Sequence, residues 1–311
     1  MLAFATSLPS LGADNPPAQQ LLDGAYRPSD LFQKSNAPFE IELGFSAQST
    51  VPQQGHLLLR WKAKNEWWSK VIFGPFQQIM VRNGEMEYTL RNLDFTPMAV
   101  REVFKLLQLR QDGPQLSAKR VKERVDHGVK LSCIQAQSSD SLPPAHDLCI
   151  DPLSHELRSD ELKPPEPSKQ LFDDYFDFQG IRFPRRLALL MNGRSVISAD
   201  VVRLDAFTFD PTLLSPPKGA IERRHCPGIR HAEIVKNADI VYNPPLNGSD
   251  VFSITVLTDG SVGDVQLLAS GGQAMDQPTL AAFKKMKFKA AMCGDQPVVS
   301  DMEIHVNATH Y

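Results

Sequence analysis

Residues 251–268 read Val251-Phe-Ser-Ile-Thr-Val-Leu-Thr-Asp-Gly-Ser-Val-Gly-Asp-Val-Gln-Leu-Leu268. The apolar runs on either side of Asp259-Gly260 predict two strands joined by a tight turn, because glycine accepts the positive φ that such a turn requires. The pattern then predicts a helix over residues 275–286 and a last strand over 297–307. The order β-β-α-β predicts a small α+β domain, which we place at residues 223–311.

The longer stretch upstream of this hairpin has a period of two. Between residues 39 and 209 about a dozen short runs alternate apolar with polar residues, separated by turn signals such as Asn83-Gly84. A broken helix over residues 18–34 precedes them, and Pro97 opens a second helix among them. We predict a mostly β chain: a curved antiparallel half-barrel wrapping a helix over residues 18–212, then a linker at 213–222.

Composition excludes several classes of protein. The 311 residues carry a net charge of −3 and a pI near 6.2, which argues against a nucleic-acid partner. No apolar run approaches the roughly 18 residues of a membrane-spanning helix. The common catalytic and nucleotide-binding motifs are missing, so we expect neither an enzyme nor a cofactor or metal site.

The N-terminal residues 1–17 read as the remnant of a signal peptide or as a frayed apolar tail. The first thirteen residues contain no charge and end in Gly12-Ala13. This resembles the apolar part of a secretory signal whose basic start is missing. We therefore expect secretion across the inner membrane into the periplasm.

Four cysteines predict two disulfides. Cys133 and Cys149 lie in strand-like segments joined by a Ser/Pro-rich loop, so adjacent antiparallel strands would bring their sulfurs together. The predicted pairing of Cys226 with Cys293 rests only on the even number of cysteines and on the position of both in the second domain. The alternative for the first pair is a zinc site with the ligands Cys133, His146, Cys149 and His155, although their spacing is irregular for a structural site.

The C-terminal segment resembles the C-terminal domain of the TonB family of periplasmic energy transducers. The matching features are Asn243-Pro-Pro-Leu246, the Asp259-Gly260 hairpin, the helix, the run 286–291 and Gly294-Asp-Gln-Pro-Val298. Met286 and Ala290 depart from the aromatic residue and the proline that are usual there. The chain shows neither the membrane anchor nor the proline-rich spacer of a transducer, so energy coupling does not follow from the resemblance.

The resemblance implies a protein partner in the envelope or outer membrane. The TonB family pairs a strand with a short extended segment of its receptors, and here the final strand lies at the chain end. An edge strand offers unpaired backbone groups to such a segment. The alternatives are that this edge is capped by residues 226–242, by a second copy of the chain or by the first domain. We predict that Met302, Ile304 and Val306 face the core, and that the remaining residues of the edge face outward or lie along it: Ser300, Asp301, Glu303, His305 and Asn307.

The first half resembles, in its pattern, the periplasmic lipoprotein-carrier (LolA/LolB-like) group. That resemblance implies a half-open sheet with a concave apolar face, and an alternative function as a carrier of lipid, lipoprotein or another hydrophobic ligand. The same residues would serve equally as an ordinary core closed by the middle helix. The candidates for the lining are Leu58, Trp61, Trp68, Phe73, Ile79, Phe183, Leu187 and Leu189.

Overall fold

A computed structural model describes residues 16–47, 53–93, 96–109, 116–126, 128–138, 145–162, 168–191, 194–224, 229–236, 238–242 and 246–308. The predicted signal remnant, residues 1–17, lies outside these residues except for residues 16 and 17. Cys226 lies outside them as well. The chain forms two compact units, and both are discontinuous in sequence. The first consists of Met1–Lys64 with Arg101–Phe209, and the second of Asn65–Val100 with Asp210–Tyr311.

The described elements are mostly strands. The helices are α1 (Pro16–Asp23), α2 (Ser29–Lys34), α3 (Met98–Leu106), the 3-10 turn η1 (Pro211–Leu214) and α4 (Gln273–Phe283). The strands are β1 (Phe39–Ala47), β2 (Gln53–Ala63), β3 (Glu66–Phe73), β4 (Phe76–Asn83), β5 (Met86–Arg91), β6 (Leu116–Asp126), β7 (Val129–Ser138), β8 (Ala145–Ile150), β9 (Leu157–Leu162), β10 (Ser168–Phe178), β11 (Ile181–Met191), β12 (Arg194–Ala206), β13 (Ile221–Arg224), β14 (Glu233–Lys236), β15 (Gly248–Val256), β16 (Val262–Ala269), β17 (Lys287–Lys289), β18 (Ala291–Cys293), β19 (Gln296–Val298) and β20 (Ser300–Ala308).

In the first unit, nine strands pair in the order β2-β1-β12-β11-β10-β9-β8-β7-β6. Every pair whose register is given is antiparallel, and the sheet is curved and does not close into a barrel. One face, which we call the helix face, carries buried apolar side chains that include Trp61, Phe183 and Leu187. The aromatic ring of Phe32 in α2 lies 5.2 Å from that of Trp61, so the short N-terminal helix packs on this face.

In the second unit, four strands pair in the order β13-β5-β4-β3. The β4–β5 hairpin turns at Gly84, whose φ of 60° matches the predicted Asn83-Gly84 turn. The 3-10 turn η1 contacts β3 and β4, and Leu214 at its end is buried. Residues 213–222, which the sequence suggests as a linker, therefore include the end of a packed turn and the start of a paired strand.

The second unit also contains a C-terminal module, which we define as residues 246–308. Its three-stranded sheet has the order β16-β15-β20, and α4 packs on it. The rings of Phe252 in β15 and Phe283 in α4 meet edge to face at 5.0 Å. The predicted order β-β-α-β is present, with the three short strands β17, β18 and β19 inserted before the last one.

The predicted fold class is confirmed, since the chain is mostly β with a curved, open antiparallel sheet and few helices. The domain limits near residues 212 and 223 stay a prediction. Among the described residues, no helix combines the length and apolar character needed to cross a membrane.

Candidate functional site

The last strand of the C-terminal module lies at one end of its sheet. β20 pairs with β15 along its whole length, from Ser300 opposite Val256 to Ala308 opposite Gly248. Within the described residues, no strand pairs with its other side. The backbone groups on that side are therefore placed to accept an added strand.

The side chains of β20 divide as alternation requires. Met302, Ile304 and Val306 pack against the buried cluster that contains Phe252 and Phe283, as predicted. His305 and Asn307 are exposed, and Ser300 is half-buried. The side chains of Asp301 and Glu303 lie outside the described part of the chain. One face of the strand thus packs on the core of the module. Its outer edge has no strand paired to it within the described residues.

Asp250, at the start of β15, fastens the loop that leads into α4. It is fully buried, and its Oδ1 accepts a hydrogen bond of 2.7 Å from the backbone N–H of Gly271. Burial raises the pKa of this carboxyl, and the nearby carboxylate of Asp276 adds to the rise. A Cβ on Gly271 would lie 2.9 Å from the same Oδ1, so the loop fits closely around it. The sequence pattern gave no sign of this contact.

The proposed hydrophobic lining does not lie on one face. Trp61, Phe183, Leu187 and Leu189 are buried on the helix face of the first unit. Leu58 is on the opposite face, where its pairing places it beside Glu42 of β1. That opposite face carries an ion-pair cluster in which the carboxylates of β1 meet cations of β2 and β12: Glu40, Glu42, Arg60 and Arg203.

The second unit shows the same division. Phe73 is buried on one face of β3, whereas Trp68 is half-buried on the other. Ile79 pairs with Lys70 of β3, which shares the face of Trp68. Leu58, Trp68 and Ile79 therefore lie on the opposite faces of their strands from Trp61 and Phe73, because side chains alternate along a strand and apolar residues occur on both faces. Whether the other five bind a hydrophobic ligand stays a prediction.

The helix face of the first unit is not wholly apolar. His146 of β8 lies on it, and its Nδ1 is 2.8 Å from Oδ1 of Asp160 in β9. The hydrogen bond to Asp160 raises the pKa of His146, and burial opposes that rise. This pair is half-buried, and α1 contacts the strand that carries His146.

The cysteines form the first predicted disulfide. Cys133 and Cys149 are directly opposite one another in β7 and β8 and are bonded at 2.05 Å. Because both sulfurs are used, the zinc alternative is wrong. Cys293 is also disulfide-bonded, and its predicted partner Cys226 lies outside the described residues. In the described part of the chain, no group of three or more His, Cys, Asp or Glu side chains is placed to hold a metal ion.

Residues 245–307 match the family model described as the Gram-negative bacterial TonB protein C-terminal. The match covers the C-terminal module almost to its last residue. It confirms the resemblance predicted from the hairpin and the motifs around it. No curated protein sequence matches the chain at a significant level.

Several solved structures are similar to this chain. A LolA-superfamily protein from Nitrosomonas europaea shares 11% identity at a TM-score of 0.44, covering 64% of this chain and 97% of its own. MucB shares 10% identity at a TM-score of 0.34, covering 86% of this chain and 98% of its own. The MucA/MucB complex of Pseudomonas aeruginosa gives 8% identity and a TM-score of 0.28, covering 79% of this chain and 82% of the other.

Proposed function

We propose that this chain is a non-enzymatic binding protein of the Gram-negative cell envelope that works in the periplasm. Its C-terminal module binds an extended segment of an envelope or outer-membrane protein, which adds as a strand along β20. One observation carries the proposal. The residues that match the TonB C-terminal family, 245–307, are those of a module whose last strand has a free edge among the described residues.

The geometry of β20 supports strand addition. The strand is nine residues long, so an added segment could form a ladder of backbone hydrogen bonds along it. The apolar side chains of Met302, Ile304 and Val306 hold the strand to its own core. His305 and Asn307 are exposed, so an added segment would lie beside their side chains.

The disulfides support the proposed compartment. Structural disulfides form and persist in oxidising environments such as the periplasm and are rare in the cytosol. The Cys133–Cys149 bond joins two neighbouring strands of one sheet, and Cys293 is bonded as well. Both bonds agree with a secreted protein.

Site-specific photocrosslinking tests the proposal. A photoreactive residue at His305 on β20 is compared with one at Leu267 on β16, the other end of the same sheet. Each full-length protein is exposed to an envelope extract, and the crosslinked peptides are identified by mass spectrometry. We expect His305 to capture one extended segment of an envelope protein and Leu267 not to capture it. Equal capture at the two positions, or none at His305, would contradict strand addition at β20.

A backbone substitution gives the second measurement. Glu303→Pro removes one N–H donor from β20, and a net hydrogen bond contributes about 1 kcal/mol, or roughly fivefold in affinity. We expect the yield of the His305 crosslink to fall at least that far while circular dichroism stays unchanged. If the proline unfolds the module, the comparison of His305 with Leu267 still decides the proposal.

A further inference from the structure

The first unit has an edge strand of its own, far along the chain from β20. β6 is the last strand of the first unit's sheet and contains eleven residues. It pairs with β7 on one side, and no described strand pairs with its other side. The length of this edge is enough for a peptide of several residues to add as a strand.

At one end of β6, a side-chain amide already forms hydrogen bonds with the backbone of the edge. Gln19 of α1 accepts a hydrogen bond of 2.8 Å at its Oε1 from the backbone N–H of Ala118. Its Nε2 donates to the carbonyl oxygen of Leu116 at 3.3 Å. These are the two kinds of contact that a neighbouring strand would make, so the edge can be paired from outside. The side-chain amide covers only this first part of β6.

A bulge between Ala118 and Arg120 follows the covered part. Beyond it, Arg120, Lys122 and Arg124 alternate along β6 and therefore share one face. That is the face of the disulfide, since Lys122 is opposite Cys133. The three cations are exposed, and Arg120 and Lys122 line a pocket that also includes Asp147.

The other face of the same segment is different. Val121 is half-buried there, and Val125 is 65% exposed. Covering an exposed valine on an edge strand with a neighbouring apolar side chain is favourable, because it removes apolar surface from water. The segment therefore presents cations on one face and apolar side chains, interrupted by Glu123, on the other.

We propose that the edge of β6 from Arg120 to Asp126 binds an extended peptide segment in which acidic residues alternate with small neutral or apolar ones. The segment adds as a strand, with its carboxylates beside Arg120, Lys122 and Arg124 and its other side chains over Val121 and Val125. Pairing two β6 edges with Lys122 opposite Lys122 would place cation beside cation, which disfavours a second copy of this chain in that register. The proposal concerns the first unit and stands apart from the function proposed for β20.

Synthetic probes test this inference on the full-length chain. The first probe is a fluorescent peptide of the sequence Thr-Glu-Val-Glu-Thr-Glu-Val-Glu-Thr, acetylated and amidated, and the second has lysine in place of every glutamate. We expect fluorescence anisotropy to show binding of the acidic probe and not of the basic one. Absence of binding of the acidic probe, or equal binding of both, would overturn the proposal.

Charge-reversal variants locate the binding. The variant Arg120→Glu, Lys122→Glu, Arg124→Glu should weaken the acidic probe by about tenfold or more, as expected for the loss of three exposed ion pairs. The matched control Lys284→Glu, Lys285→Glu, Lys287→Glu makes the same change in charge on exposed residues of the other unit and should leave binding unchanged. Equal weakening by both variants would show non-specific attraction and refute the site.

A third probe separates strand addition from attraction by charge alone. The acidic peptide is N-methylated at alternate residues, in two versions that block one or the other backbone edge. Both keep every carboxylate. The version that blocks the pairing edge should lose about tenfold or more in affinity for the wild-type chain. The version that blocks the other edge should lose less. If both N-methylated probes bind as well as the parent, the peptide is not added as a strand and the proposal is wrong.

Discussion

Asp250 is a fully buried carboxyl whose second oxygen, Oδ2, has no hydrogen-bond partner among the described atoms. A buried carboxylate without full pairing is costly, and protonation relieves that cost. The neighbouring Asp276 is itself held by the hydroxyl of Ser270, at 2.8 and 2.9 Å from its two oxygens. A proton on Asp250 therefore reduces both the burial penalty and the repulsion between the two aspartates.

The stability of the C-terminal module should depend on the charge of Asp250. Burial raises the folded-state pKa of Asp250 above its ordinary 3.8, so above pH 4 the folded state binds more protons than the unfolded state. Stability should be highest below pH 4 as far as this group is concerned, and should fall as pH rises through the raised pKa. Asp250→Asn should remove that fall. Hydrogen exchange of the Phe252 and Ile254 amides, corrected for intrinsic rates, measures it.

The control for this prediction is Asp295→Asn, which changes an exposed aspartate of the same module. It should leave the pH dependence of exchange as it is in the wild type. A pH dependence that survives Asp250→Asn would show that another group is responsible.

Individual residues differ in how far the sequence reveals their role. The Cys133–Cys149 disulfide could be predicted, because two alternating segments joined by a short loop form neighbouring strands. Gln19 could not be predicted as a cap of β6, because its partners Leu116 and Ala118 are 97 and 99 residues away. Nothing in the local pattern around Gln19 indicates such a contact.

At the level of elements, the β15–β16 turn shows how closely the module is built. Gly260 has a φ of 77°, and its carbonyl accepts a hydrogen bond of 2.9 Å from the N–H of Phe288. A Cβ at this position would lie 1.9 Å from the carbonyl oxygen of Phe288. Glycine is therefore needed here both for the positive φ of the turn and for the close approach of the β17 backbone. The hairpin motif alone predicts only the first of these.

Gly260→Ala should destabilise the module by about 3 kcal/mol or more, since a backbone clash is added to the strain of a positive φ. Gly294→Ala is the matched control. Gly294 has a φ of 59° but open space around it, so its replacement should cost only about 1 kcal/mol. Hydrogen exchange of the β15 amides compares the two variants. Similar effects would mean that the β17 backbone moves aside without cost.

The elements also show where reasoning from sequence fails. About a dozen strands were predicted between residues 39 and 209, and the described residues there contain β1 to β12. The face on which each apolar residue lies was less certain. Leu58 and Trp68 are as apolar as their buried neighbours Leu57 and Trp67, yet each points to the opposite side of its strand. Apolar character alone does not settle the face where apolar residues occur on both sides of a strand.

At the scale of the whole molecule, the two compact units do not follow the order of the chain. Residues 65–100 belong with 210–311, and β13 pairs with β5 across more than a hundred residues. The guanidinium of Arg224 at the end of β13 lies 2.7 Å from the carboxylate of Glu85 beside β5. The entropic cost of closing a loop grows only slowly with loop length, so a strand can pair with a distant strand almost as readily as with a near one. The order of the strands along the sequence therefore does not predict this pairing.

The C-terminal module, whose buried cluster is drawn from residues of the second unit, should respond separately from β7 and β8 to the loss of the Cys133–Cys149 bond. The bond closes a loop with a sequence separation of 16, for which loop entropy predicts about 3 kcal/mol, or roughly a hundredfold in the opening equilibrium. The double variant Cys133→Ser, Cys149→Ser should therefore speed hydrogen exchange in β7 and β8 by up to that factor. A substitution is preferable to a reducing agent because it leaves the bond of Cys293 in place. The Phe252 and Ile254 amides of the second unit should keep their wild-type protection, since their buried cluster is drawn from residues of that unit. Equal acceleration in β15 would instead mean that the two units unfold as one, and that a partner bound at either edge strand would stabilise the entire chain.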